Sequence, residues 1–105
     1  MATTFQQRVF TATRKIPRGR VTTYQLLADH IGCGSCRAVG QALKRNPDAP
    51  RVPCHRVIAS DGTLGGFQGR RSGVALRRKA RLLAAEGVRF RHGRLADPAR
   101  LVRFS

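Results

Sequence analysis

At 105 residues the chain has room for one modest core and is predicted to form a single domain, 1–105. Its 21 Lys and Arg against 5 Asp and Glu give a formal net charge of +16, which opposes compaction by self-repulsion and makes a polyanion the natural partner. No run of about 18 apolar residues occurs and Met1-Ala2-Thr3-Thr4 lacks a signal-peptide core, so nucleic acid is favoured over membrane, and three cysteines, an odd number, point to free thiols in a reducing compartment.

From Thr4, a candidate N-cap, to about Thr13, the residues Phe5, Val9 and Ala12 recur at helical spacing and Phe10 widens the apolar face, which predicts a first helix. Pro17 and Gly19 break it, leaving 15–21 as a turn or short extended link whose Lys15, Arg18 and Arg20 are suited to phosphate. Thr23 caps a second predicted helix with Leu26, Leu27 and Ile31 apolar, and Gly32 suits its stop. Ser35 caps a third that turns Ala38, Val39, Ala42 and Leu43 inward and ends by Asn46-Pro47, because proline disfavours helix at the residue before it. Helix, short glycine turn, helix is the helix-turn-helix pattern, although a generic two-helix hairpin reads much the same. Arg37 in the first turn of the third helix strengthens the former, and Ala38, Gly40 and Ala42 are small enough for a nucleic-acid backbone to approach. Lys44 and Arg45 lie near that helix's negative dipole end, which is their purely structural explanation.

Residues 46–53 carry three prolines and form a constrained loop into Pro53-Cys54-His55-Arg56-Val57. Val57-Ile58-Ala59 is predicted as a short strand, Ser60 to Thr63 as a turn, and Gly65-Gly66-Phe67-Gln68-Gly69 as a flexible loop; no Lys-Ser/Thr follows it, which argues against a nucleotide-hydrolysing P-loop. A last helix is expected from a Ser72 cap to about Ala85, with Val74, Leu76, Leu82 and Leu83 inward, Arg77, Arg78, Lys79 and Arg81 mostly outside, and Gly87 as its stop. Glu86 is the chain's one glutamate and falls at the helix C-terminus, where a negative charge is disfavoured by about 0.3–1 kcal/mol, so it needs a partner, either a nearby arginine or a site histidine. Beyond it, Leu95, Leu101, Val102 and Phe104 can pack back on the domain.

The chemistry-bearing stretch is Pro53 to Val57. A free thiol has a pKa near ~8.5, and neighbouring cationic groups such as His55 and Arg56 favour the more nucleophilic thiolate. The same residues also suit a buried cysteine at the start of a core strand. Cys33-Gly34-Ser35-Cys36 has the spacing of a zinc or thiol-redox pair, but no second pair exists, and two small residues in a tight turn is the preferred reading; no metal is expected. Tyr24, the chain's one tyrosine, is either a half-buried helix residue or the only phenolic donor for a bound base.

The Pro53-Cys54-His55-Arg56-Val57 motif resembles the active-site signature of the O6-alkylguanine-DNA alkyltransferases. The similarity extends in order over about residues 5 to 90, through Thr23 to Ala28, Arg37-Ala38-Val39-Gly40, Asn46-Pro47, Gly62 to Phe67 and Leu82 to Gly87. The resemblance implies a mainly α domain with a small β element, helix-turn-helix and winged-helix-like, with a core of about 5–90 and a C-terminal extension, 91–105. It also implies that the family's usual N-terminal domain is missing, that the protein is a monomer, and that its partner is double-stranded DNA containing O6-alkylguanine, flipped out of the stack.

Carried over by motif, Cys54 is the nucleophile, His55 the base, Glu86 its orienter, Tyr24 a donor to the leaving guanine and Asn46 a brace. Arg37 fills the vacated stack, with Ala38, Gly40, Lys44, Arg45, Arg56 and Tyr24 at the DNA and Leu43, Val57, Gly66 and Phe67 around the base. No cofactor is needed, because the nucleophile is the acceptor. The competing expectation is a lesion sensor of the alkyltransferase-like kind, suggested by the single domain and the tail, with Cys54 inert and other repair proteins recruited; that branch carries Trp or Ala at the cysteine position. The expected location is the cytoplasm with the nucleoid in a bacterium, or the nucleus in a eukaryote.

Overall fold

The computed structural model describes residues 3–45, 51–65 and 73–104. In chain order these form α1 (Thr4–Arg14), β1 (Thr22–Thr23), α2 (Tyr24–His30), α3 (Cys36–Lys44), a 3₁₀ turn (Cys54–Arg56), β2 (Val57–Ile58), α4 (Val74–Ala85), β3 (Phe90–Arg91), β4 (Arg94–Leu95) and a second 3₁₀ turn (Pro98–Arg100). The class is mainly α with small β elements, as expected.

The N-cap of α1 is Thr3, one residue before the predicted Thr4. Thr3 accepts from the Gln6 backbone at 3.1 Å while Gln6 Oε1 accepts from the Thr3 N–H at 3.0 Å, a reciprocal capping box of threonine with the glutamine three residues on. Thr23 and Ser35 cap α2 and α3 as predicted, through bonds to Leu26 N at 3.0 Å and Ala38 N at 3.1 Å. Between them the chain turns through Gly32, whose φ of +71° a side chain would strain. Helices α1, α2 and α3 pack on one another around Val9, Phe10, Leu27, Ala28, Val39, Ala42 and Leu43, a core that also takes in Val52, Cys54 and Val57.

β1 and β2 pair in parallel, Thr22 with Val57 and Thr23 with Ile58. This pairing sets the start of α2 beside the cysteine motif. A second cluster, Val21, Ile58, Leu83 and Val88, is covered by Phe90, Leu95 and Leu101 from the C-terminal segment. That segment folds into the β3–β4 hairpin, turning at His92 and Gly93, both with positive φ, as a two-residue hairpin requires. It then runs back along β1, with Leu101 bridged to Val21, and Phe104 stacks on His30 at a ring-centroid distance of 4.2 Å.

The inward face of α4 differs from the predicted one. Val74 is 74% exposed and Leu82 37%, whereas Lys79 and Leu83 are fully buried. The helix is rotated so that the pair one turn apart, 79 and 83, faces the core. A lysine is tolerated there because its ammonium meets two backbone carbonyls. The N-cap is Gly73, with φ of +78° and no side-chain bond, and the expected Ser72 cap lies outside the described residues.

Candidate active site

Cys54 sits at a doubly constrained turn. Its N–H donates to Val52 O at 2.8 Å across Pro53, whose φ of −82° and ψ of 69° form an inverse γ-turn that proline's ring favours. The 3₁₀ turn follows at once, with Arg56 N donating to Pro53 O at 2.9 Å, and leads into β2. The thiol is therefore held by rigid backbone on both sides, and Cys54 is 8% exposed within the main core.

The next two side chains converge on Glu86. His55 Nε2 lies 2.9 Å from Glu86 Oε2, and Arg56 donates Nε to Oε1 and Nη2 to Oε2, each at 2.9 Å. The Gly19 N–H reaches Oε1 at 3.3 Å. Burial by itself would raise the Glu86 pKa, but the bonds from Arg56, His55 and Gly19 hold the carboxyl down at about 2. His55 is pushed the other way: burial lowers its pKa, and the Glu86 hydrogen bond only partly opposes this. A neutral imidazole whose Nε2–H donates to Glu86 leaves Nδ1 as the acceptor, the form a general base needs. Both partners expected for Glu86 are thus present together.

Lys79 was missed by the sequence reading. Its Nζ donates to Val57 O at 2.7 Å and Leu64 O at 2.6 Å and stands 5.7 Å from the centre of the Tyr24 ring. Burial lowers its pKa to about 7, opposed by negative charge at Cys54. Tyr24 is pushed up to about 12 by burial and by the same cysteine, so its hydroxyl keeps its proton throughout the neutral range. Tyr24 also packs against Gly65, where an added Cβ would come within 3.3 Å of the ring and of the Ala59 nitrogen. The signal for Lys79 was its place one turn before Leu83, on the one face of α4 that is apolar on both sides.

Of the predicted DNA-contacting residues, Arg37, Lys44 and Arg45 are exposed, and Ala38 and Gly40 are half-buried along α3. Arg56 is turned inward: with Nη1 donating to Ile16 O at 2.9 Å, three of its five N–H groups are held inside the protein. Arg18 and Arg20 are likewise bound to the carbonyls of Ala85 and Ala99. Val57, expected around the base, is 0% exposed and belongs to the core, and Leu43 is 6% exposed; they back the site rather than line it. Asn46, Gly66 and Phe67 lie outside the described residues.

Cys33, in the turn before α3, and Cys36, its first residue, are half-buried free thiols; Cys36 Sγ lies 3.1 Å from Gln25 Oε1. Among the described residues no group of three or more His, Cys, Asp and Glu is gathered as a metal would need, and no helix is long and apolar enough to cross a membrane.

The α2–α3 pair, with exposed Arg37 and Lys44 along α3, and a buried thiol next in the chain to a histidine–carboxylate pair make this a helix-turn-helix domain organised around one cysteine. Residues 4–88 match the family model of the 6-O-methylguanine DNA methyltransferase, DNA binding domain, and the chain belongs to that family. It is 50% identical over 86 residues to the methylated-DNA--protein-cysteine methyltransferase of Methanothermobacter thermautotrophicus, covering 82% of this chain and 46% of that protein. It thus spans about half the length of the curated relatives it matches. Among solved structures, Mycobacterium tuberculosis OGT in complex with DNA is 46% identical with a TM-score of 0.73, over 82% of this chain and 51% of that one. S. pombe Atl1, in complex with damaged DNA containing O6-carboxymethylguanine, is 32% identical with a TM-score of 0.82, over 95% of each chain.

Proposed function

We propose that this protein binds DNA, extrudes O6-alkylguanine and transfers the alkyl group irreversibly to Cys54. The observation that carries this is the His55–Glu86 pair, 2.9 Å apart and next in the chain to Cys54, in which burial lowers the pKa of the histidine and its partners hold the carboxylate ionised, the base and orienter that a cysteine nucleophile needs. The +16 charge and the exposed cations of α3 supply the affinity for phosphate. Extrusion is needed because the alkylated oxygen is inaccessible in the duplex, and a poorly paired lesion costs less to extrude.

In the transfer step His55 takes the Cys54 proton, through a water, and the thiolate attacks the alkyl carbon in line. The sulfur–carbon bond forms as the carbon–O6 bond breaks. The electron pair stays on the guanine, which takes up a proton, so the net change is one alkyl group onto sulfur and one proton onto the base. Tyr24, with its proton firmly held, serves as a hydrogen-bond donor to the leaving guanine rather than as an acid that ionises. Lys79, among the same groups, adds positive potential where negative charge develops on sulfur and base. The thioether has no hydrolytic route back, so one molecule repairs one lesion and no cofactor takes part. Residues 1–105 would act as one domain, with 91–105 as its extension, and as a monomer.

A second reading, lesion sensing without transfer and with other repair proteins recruited, is favoured by the likeness to Atl1 over nearly the whole of both chains. Intact-mass spectrometry after incubation with an O6-methylguanine duplex decides between them. Transfer adds one methyl group at Cys54 and leaves Cys33 and Cys36 unmodified; tight binding with unchanged mass would establish the sensor.

A further inference from the structure

We propose that Arg100, in the segment beyond the family match, is a positioning residue of the transfer site: it clamps the loop at Gly19 whose N–H helps hold Glu86 in line with His55. The inference rests on the transfer reading above. Arg100 Nη1 donates to Gly19 O at 3.0 Å, the Gly19 N–H donates to Glu86 Oε1 at 3.3 Å, and Glu86 Oε2 meets His55 Nε2 at 2.9 Å. Gly19 is thus gripped on both of its peptides, from the tail on one side and the carboxylate on the other.

The grip is tight. Gly19 has a φ of +86°, and a Cβ added there would come within 3.2 Å of both Arg100 Nη1 and the Glu86 carbonyl oxygen. The guanidinium also covers the end of α4, where a Cβ on Gly87 would stand 3.6 Å from Arg100 Nη1 and Nη2. Its positive charge there complements the negative pole of the helix. The backbone of Arg100 is itself anchored, since its carbonyl accepts from Val21 N at 2.9 Å and Val102 N donates to Val21 O at 2.6 Å. Arg18 and Arg20, bound to Ala85 O and Ala99 O, add ties from the same loop to the helix end and the tail.

The consequence for chemistry follows from sharing of the carboxylate. Oε1 takes Gly19 and one Arg56 donor, while Oε2 takes His55 and the other. Release of the Gly19 loop removes a donor from one oxygen and lets the carboxylate turn, which re-aims the oxygen that fixes the imidazole. The tail thereby becomes part of the relay.

The test uses the full chain with Arg100→Ala, Arg100→Lys and, as a control for lost tail charge, Arg103→Ala. Single-turnover transfer from an O6-methylguanine duplex is measured at saturating DNA, alongside affinity and the NMR signal of the His55 ring N–H. Arg100→Ala is expected to slow transfer roughly tenfold or more, a part of what a positioned base supplies, while affinity stays within about twofold. Its His55 signal shifts or broadens, Arg100→Lys restores both, and Arg103→Ala changes neither. An Arg100→Ala protein with wild-type transfer and an unmoved His55 signal overturns the proposal, as does an equal slowing in Arg103→Ala. Should Arg100→Ala fail to fold, Arg100→Gln, which keeps a shorter donor, must still slow transfer and move the His55 signal. If the wild type itself transfers nothing, the transfer reading falls, and the His55 signal alone still decides whether the clamp exists.

Discussion

Lys79 Nζ donates to the backbone oxygen of Val57 at 2.7 Å, joining the middle of α4 to the strand that leaves Cys54. A second bond, to Leu64 O at 2.6 Å, extends the tie to the far side of the 59–63 turn. One buried side chain therefore sets the distance between the helix and the segment carrying the thiol. Its burial has a thermodynamic signature.

The folded-state pKa of Lys79, about 7, lies below its ordinary 10.5, so between these values the unfolded chain binds the extra proton. Stability from this group accordingly rises with pH across that interval. Tyr24 acts oppositely, since its folded value of about 12 exceeds 10.0, so its contribution is full below 10.0 and fades above it. Urea unfolding of wild type and Lys79→Met from about pH 7 to 9.5, below the range of Tyr24, separates the lysine from the thiols that both proteins share. The wild-type midpoint is expected to climb over this range and the Lys79→Met midpoint to stay flatter. Methionine also leaves two carbonyls without their donor, at about 1–3 kcal/mol each if no water replaces it. Equal pH slopes for the two proteins would contradict the buried-charge assignment.

What could be read beforehand follows the locality of the physics. Caps and stops such as Thr23, Ser35 and Gly87 are set by neighbours three or four residues away, and they fell where expected, apart from the first cap, where Thr3–Gln6 and Thr4–Gln7 offer the same spacing and the helix uses Thr3. Glu86 was legible because a lone glutamate at a helix C-terminus is anomalous. Lys79 was not, because its carbonyl partners lie 22 and 15 residues away. The inward bonds of Arg56 were hidden for the same reason: an arginine beside a reactive thiol reads as a phosphate ligand, and its carboxylate and Ile16 O partners lie 30 and 40 residues away.

Acid is expected to unfold the protein through His55 and then Glu86. Because burial holds His55 below its ordinary 6.5, the unfolded state protonates first and stability starts to fall as pH drops through 6.5. Glu86, depressed from 4.5 to about 2, contributes its stabilisation in full above 4.5 and loses it as pH falls toward 2. Glu86→Gln should remove the lower phase and cost about 3 kcal/mol near neutrality, since Arg56 would be left largely buried without its counter-charge. Melting temperatures between about pH 7 and 3 follow both. An unaltered acid limb in Glu86→Gln would mean that the carboxylate is not held ionised as described.

The exposed cations of α3 make DNA affinity a matter of counter-ion release, so log affinity should fall linearly with log salt, and affinity that is flat between about 50 and 200 mM would remove the electrostatic argument. Arg37 is exposed in the first turn of α3. Its replacement by alanine should lower affinity for an O6-methylguanine duplex roughly tenfold, about 1.4 kcal/mol, without altering circular dichroism. If lesion affinity is unchanged, α3 does not present its start to the DNA.

Gly40 separates what the fold needs from what the DNA needs. Glycine inside a helix is about 1 kcal/mol less favourable than alanine, and at Gly40 an added Cβ would meet nothing within 4 Å. The protein itself therefore gives no reason for the glycine. A backbone approaching from outside does, because Gly40 lies on the same face of α3 as the exposed Arg37 and Lys44, three and four residues away. Gly40→Ala is expected to raise the melting temperature by about 4–8 °C, the value of 1 kcal/mol in a domain of this size, while weakening DNA binding. Gly40→Leu should keep the fold and weaken binding further. Thermal melts and DNA titrations on the same samples check the opposed signs; a stabilised Gly40→Ala together with a Gly40→Leu that binds as well as wild type would take this face of α3 out of the interface.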